Sequence, residues 1–241
     1  MTLFSDPTSR RFAMIAGLFY LTIAVSGGYS IAYVPYALYG DGQPTDILNA
    51  ISAQRGLFLS GIAGDVVMMA AEVMVTAMLF FMFRAVNPTL SLAAALARFA
   101  MVAVMAAMLF FQAGLLAMAN GVLTMDGAGA EVKDALAALL LYMHDAGVWI
   151  WQIFFTIHLL LLGTLILNSG MFPKVLGAGL LVGGMGYLID SIYAFAFPGV
   201  EWLGLVRVVL LGIVTLSEVG FALWLVFVGP RKPLDTAAAT S

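Results

Sequence analysis

Residues 56–83 read GLFLSGIAGDVVMMAAEVMVTAMLFFMF, 28 positions in which Asp65 and Glu72 carry the only charges. A run of about 20 apolar residues crosses a bilayer as a helix, because lipid offers the backbone no hydrogen bonds and a helix satisfies them internally. The two acids stand seven apart, which puts them on one face within about 20°. The stretch therefore offers most of its circumference to lipid and one polar stripe to protein. An apolar exterior with a charged inner stripe implies several spans packed around a common interior.

The rest of the chain agrees. Of 241 residues, 63% are hydrophobic and 10% charged, with a mean hydropathy of +1.06; such a chain needs lipid rather than water around it. Spans are expected at Phe12 to Val34, Gly56 to Phe83, Leu90 to Ala119, Asp145 to Leu167, Pro173 to Phe197 and Trp202 to Val228. The expected fold class is all-α, an integral membrane bundle of six transmembrane helices with short outer-surface helices and no separate soluble domain. Without cysteine, disulfides, thiolate catalysis and cysteine-ligated zinc are excluded. No basic stripe invites nucleic acid. Arg10 and Arg11 ahead of the first run resemble a signal sequence or a twin-arginine signal, yet the run is too long for a cleaved segment and is expected to stay as the first span.

Lysine and arginine in short loops and tails stay on the cytoplasmic side. Arg10, Arg11, Arg84, Lys174, Arg231 and Lys232 fall on one side of the six spans. Arg55 and Lys133 fall on the other, among Asp41, Asp46, Asp126, Glu131, Asp134 and Glu201. The expectation is a plasma (inner) membrane protein with both termini cytoplasmic: residues 1–11 a tail, 12–229 the membrane domain, and 230–241 a disordered tail. Two outer segments read as helices. One starts at Pro44-Thr45-Asp46-Ile47-Leu48-Asn49. The other, Glu131 to Met143, leads into the fourth span, with a break expected near His144-Asp145-Ala146-Gly147 because a continuous helix exceeds what a bilayer requires.

The candidate functional residues are the ionisable groups within or at the edge of spans: Asp65, Glu72, Arg98, His144, Asp145, His158, Asp190, Arg207 and Glu218. Each is costly in hydrocarbon, about 2.5 to 3.5 kcal/mol on insertion scales for a charged residue, so they are expected to face the bundle interior. Arg207 and Glu218 share a face, as do Arg98 and Gln112 more loosely. His144, Trp151 and His158 form one stripe, and Asp145, Gln152 and Thr156 form its neighbour. Asp65, Asp190, Arg207 and His144-Asp145 belong to the outer half, and Glu72, Arg98, His158 and Glu218 to the middle or inner half.

Four interior carboxylates face two arginines, so two negative charges need a proton, a charged histidine or a bound cation. Glu72 and Glu218, expected near mid-membrane, are the candidates for that exchange. The plainer alternative makes Glu72 with Arg98, and Asp190 or Asp65 with Arg207, structural pairs that fix helix order, and makes His158 an interior histidine with satisfied nitrogens. Two histidines exclude a three-histidine zinc site but leave a mixed histidine and carboxylate metal site open. Gly179 to Gly183 is a small-xxx-small pattern for close packing, within the bundle or against another copy.

The chain resembles a family of bacterial membrane proteins known as domain of unknown function 4386. The resemblance rests on Gly61-Ile62-x-x-Asp65, Arg98, His144-Asp145-x-Gly147, Phe154-Phe155-x-x-His158, Ser169-Gly170-x-x-Pro173-x-x-Leu176-Gly177, Gly186-Tyr187-Leu188-x-Asp190, and Glu218 ahead of Ala222-Leu223-Trp224-Leu225, in that order from Arg11 to Val228. Ser217 departs from the pattern, where glycine is expected. The resemblance implies six spans and no known activity.

Three functions fit these residues. A proton- or cation-coupled permease uses the surplus of interior acid. An intramembrane enzyme uses Asp65 and Asp190, or Glu72, Glu218 and His158 around a metal, as acid and base. An accessory subunit of a membrane complex, or a homo-oligomer, docks through the glycine face of the fifth span. Membrane lipids are partners in every case.

Overall fold

A computed structural model describes residues 6–40, 46–125, 127 and 129–231. Asp41, Pro44, Thr45, Asp126, Lys232, Pro233 and the rest of the tail lie outside the described residues. Helices α1 (Arg10–Gly27) and α2 (Val34–Tyr39) join through a π-helical turn, Gly28–Tyr33. They are followed by a short α3 (Ile47–Ala53) and by α4 (Arg55–Phe83), α5 (Pro88–Ala119), α6 (Ala130–Ser169), α7 (Lys174–Ala196) and α8 (Glu201–Phe227). Six helical stretches are long and apolar enough to span a membrane, the first running unbroken from Arg10 to Tyr39.

The six spans close into a ring in the order α1, α4, α5, α6, α7, α8, with α8 packed back on α1. The first and last described residues lie at one end of the ring. Arg10 Nη2 donates to Val226 O (2.6 Å), and the Arg231 N–H donates to Met171 O (2.9 Å) in the α6–α7 turn. Helix α3 caps the opposite end, packing on α5 and α6. Side chains such as Phe110, Leu216 and Phe227, each at least 70% exposed, form the lipid-facing coat that the composition demands.

The first span bends for a local reason. Pro35 has no N–H and its ring crowds the carbonyl four residues back, so the Val34 N–H reaches five back to Tyr29 O instead. Thr22, Ser26 and Ser30 hydroxyls each donate to the carbonyl four residues earlier, a pattern that bends helices. Below the bend α1 lies on α8, where a Cβ at Gly17 would meet Val226 Cγ2 at 2.7 Å and Ala222 O at 2.9 Å. Above it the chain stays on α4, where Gly61 and Gly64 face Val34 and Ser30. The first span thus packs on α4 along its length and parts from α8 above the bend.

Helix α6 corrects the expected break. It runs 40 residues without interruption through His144-Asp145-Ala146-Gly147, about 60 Å at ~1.5 Å per residue. Gly147 is buried and its Cα packs against the Met108 side chain of α5, while Leu140 fits over Gly114. Tertiary packing along α5 holds the helix where glycine alone would have loosened it. The glycines of α7 are likewise used up inside the bundle. Gly183 faces the Val214 backbone, Gly186 faces Leu210 and Leu211, and Gly179 faces Ser217, all on α8; Gly177 faces Gly163 on α6. This face is an internal contact, which corrects its reading as a docking surface.

Candidate functional site

Counting from the chain-termini end, Tyr20 lies ten residues into α1, Arg98 ten into α5, Glu72 eleven from the end of α4, His158 eleven from the end of α6 and Glu218 nine from the end of α8. At ~1.5 Å per residue each sits about 15 Å in, half of a ~30 Å hydrocarbon core. With Tyr187 of α7, every span contributes one residue to a single mid-membrane cluster.

The cluster is a connected chain. Arg98 Nε donates to Glu72 Oε2 (2.5 Å), and its Nη1 reaches Tyr20 Oη (3.4 Å) and His158 Nε2 (2.9 Å). Tyr20 Oη donates to Glu218 Oε1 (3.0 Å) and Tyr187 Oη to Glu218 Oε2 (3.3 Å). Arg98 is fully buried and its guanidinium carbon lies 4.9 Å from the Tyr20 ring centroid and 5.5 Å from that of Phe155. Phe155 also stacks on His158 at 5.7 Å.

Hydrogen-bond logic fixes the histidine. His158 Nδ1 is 2.9 Å from Ala94 O, and a carbonyl only accepts, so Nδ1 carries the proton. Nε2 then accepts from Arg98, which has only donors. His158 is a neutral orienting group, not the positive charge that the surplus acid requires. With Glu72 matched to Arg98, Glu218 keeps two phenols for partners and no cation.

Nearer the α3 end lies a second group. Gln112 Nε2 donates to Asp65 Oδ2 (3.1 Å) and to His144 Nε2 (2.8 Å), and His144 Nδ1 faces Asp145 Oδ1 at 3.4 Å. Arg98 and Gln112, on the same helix, thus serve different layers. A third group pairs Arg207 Nη1 with Asp190 Oδ1 at 2.5 Å, with the guanidinium carbon 4.1 Å from the Tyr193 ring centroid. Gln152 Oε1 accepts from Ser191 (3.2 Å), and Thr156 donates to Gln152 O and Gly184 O, so their stripe bolts α6 to α7.

These pairings correct two expectations. The carboxylates without an arginine are Asp65 and Glu218, not Glu72 and Glu218, because the same height in the bundle brings Glu72 to Arg98. Among the described residues no three histidine, aspartate or glutamate side chains converge as a metal site; Arg98 occupies the centre where a metal held by Glu72, Glu218 and His158 would sit. Asp65 and Asp190 bond to different partners and form no acid–base pair. Tyr20 and Tyr187 were not singled out by charge. Tyrosine belongs to the membrane interface, so a tyrosine ten residues into a span was the available signal.

Cavities connect the layers. A vestibule of about 570 Å³ at the α3 end is lined by Ser30, Tyr39, Gln112, Leu141, His144 and Asp145, among others. Below it a void of about 20 Å³ is bounded by Asp65, His144 and Trp151, room for one water. Trp151 Nε1 is buried without a partner, a donor placed for that water. The void shares Ile31, Met68, Met105 and Trp151 with a cleft of about 270 Å³ that reaches Tyr20, Glu72, Arg98, Tyr187 and Glu218. Toward the chain termini the interior is packed with Phe83, Leu165, Ile166, Phe172 and Phe221, all 3% exposed or less, and Phe172 contacts both Phe83 and Phe221 ring to ring.

The chain belongs to the family described as domain of unknown function (DUF4386), whose model matches residues 15–229. An uncharacterized protein of Archaeoglobus fulgidus is 42% identical over 80 residues, 33% of this chain and 44% of that protein. This chain thus aligns with less than half the length of that relative. No solved structure matches.

Proposed function

We propose that this family member is a proton-coupled permease of a plasma (inner) membrane, with its termini cytoplasmic and its vestibule open to the outside. The observation that carries the reading is Glu218: a mid-membrane carboxylate bonded to two tyrosines, with no cation of its own, at the end of a line of cavities from one membrane face. With Glu72 and Arg98 cancelling and His158 neutral, the cluster carries one negative charge until Glu218 takes a proton or a cation. Asp65, Gln112, His144 and a water beside Trp151 supply the hydrogen-bonding steps between vestibule and cluster. The packed aromatic layer below is the closed gate of an alternating-access cycle, so transport needs that layer to part.

An enzyme is less well supported, since Asp65 and Asp190 are not paired and the acids of the cluster surround Arg98. The orientation rests on Arg10, Arg11, Arg84, Lys174 and Arg231 at the terminal end. The test is proton flux in proteoliposomes holding a pH-reporting dye, under an imposed pH gradient. The parent is expected to dissipate the gradient and Glu218→Gln to slow it at least ten-fold, with Asp190→Asn, outside the cavity line, as the control for folding. Equal flux from parent and Glu218→Gln, or none above empty vesicles from either, would end the proposal.

A further inference from the structure

The cleft beside Glu218 also opens sideways. Its wall includes Ala24, Gly28, Ile31, Thr215 and Val219, all exposed, and all at depths where exposure means contact with lipid. The cause is the bend at Gly28–Tyr33, above which the first span keeps its contact with α4 and loses that with α8, leaving the seam between α1 and α8 unfilled above Tyr20. Glu218, from α8, is itself partly exposed to this opening. An apolar molecule in the bilayer therefore has a route to a carboxylate without crossing water.

Charge and shape define what fits. Among the described residues, Tyr20 from α1, Glu72 from α4, Arg98 from α5 and Tyr187 from α7 line the cleft with Glu218, and His158 from α6 bonds Arg98 behind them. With Glu72 and Arg98 cancelling, the set carries one negative charge when Glu218 is ionised. The cleft is otherwise lined by Leu21, Ile23, Met68, Met101, Met105 and the rings of Trp151 and Phe155. An anion would meet Glu72 and Glu218. A neutral amphiphile would leave the carboxylate without a counter-charge. An apolar body bearing one positive charge satisfies both, the methionines and ring edges packing on the body and Glu218 meeting the charge.

We infer that the cleft between α1 and α8 binds a membrane-soluble organic monocation, a protonated amine or quaternary ammonium compound, through Glu218. This deepens the permease reading and rests on its assignment of Glu218 as the exchangeable carboxylate. Cation and proton then compete for one site: loading the ligand releases the proton, and lowering the pH expels the ligand.

Benzyltrimethylammonium and its uncharged isostere neopentylbenzene make the probe pair, titrated by calorimetry into the purified full-length chain in nanodiscs. The cation is expected to bind at least ten-fold more tightly than the isostere at pH 8, and to bind more weakly as the pH falls while releasing a growing fraction of a proton, measured by comparing buffers of different ionisation enthalpy. Glu218→Gln should erase the preference while the isostere still binds, which shows that the cleft is intact; Glu218→Asp should keep part of it. Equal affinity for the two probes, or a preference that survives in Glu218→Gln, overturns the inference. Binding without gradient-driven transport would discard the permease and keep the site, whereas Glu218-dependent proton flux without cation preference would do the reverse.

Discussion

Replacing Arg98 tests whether the cluster is an electrostatic unit. Arg98→Met keeps much of the side-chain volume but removes the 2.5 Å bond to Glu72 and the bonds to His158 and Tyr20. Glu72, 3% exposed, is left as a buried charge without a partner, a loss of about 3 to 5 kcal/mol. Glu72→Gln strands the fully buried Arg98 at a similar cost. The double variant removes both charges, and what remains is the unpaired His158 Nε2 and Tyr20 Oη, about 1 to 3 kcal/mol. The two single losses should therefore exceed the double loss by about 3 kcal/mol or more. Reversible unfolding in mixed micelles, followed by circular dichroism, gives all three values; a double variant that folds where Arg98→Met does not makes the same point. Losses that add to within about 0.5 kcal/mol would refute the coupling.

The remaining predictions use other parts of the fold. Gly183→Ala should cost about 1 to 3 kcal/mol, because its Cβ would strike the Val214 backbone, whereas Gly212→Ala, with nothing within 4 Å, should be neutral or stabilising; equal melting temperatures for the two would contradict the α7–α8 contact. The chain has no cysteine, so single cysteines report access cleanly: Asp145→Cys, at a vestibule position whose side chain is 60% exposed, should react with a membrane-impermeant maleimide from outside, and Leu165→Cys in the packed layer should not. Reporters fused at Asn87 and Ser169 should read cytoplasm and those at Gly121 and Pro198 the opposite side; reversal at two sites would sink the orientation.

The six spans and the burial of Asp65, Glu72, Arg98, His158 and Asp190 were legible because lipid allows few exceptions: an apolar run of that length, with its acids at helical spacing, has one physical reading. Asp145, at the edge of its span, instead has a side chain 60% exposed. The pairs Glu72–Arg98 and Asp190–Arg207 were among the foreseen options. Which acid lacked an arginine was not, since spacing along one helix says nothing of its height against another. Tyr20 and Tyr187 escaped because a search by charge passes over phenols. The continuous α6 was missed because a helix of that length exceeds what a bilayer requires, and only its packing along α5, with Met108 against Gly147, shows why it continues. The π turn was hidden for a similar reason: Pro35 announces a disturbance, while its consequence, a first span that stays on α4 and parts from α8, depends on where those helices lie.

The central claim is that Glu218 exchanges a proton with one side of the membrane. Infrared spectra of the protein in lipid, titrated between about pH 5 and 8, report directly on the protonated carboxyl group. One carboxyl band should grow as the pH falls, disappear in Glu218→Gln, and persist in Asp190→Asn. A Glu218→Gln spectrum that titrates like the parent, or a parent with no titrating carboxyl band, would contradict it.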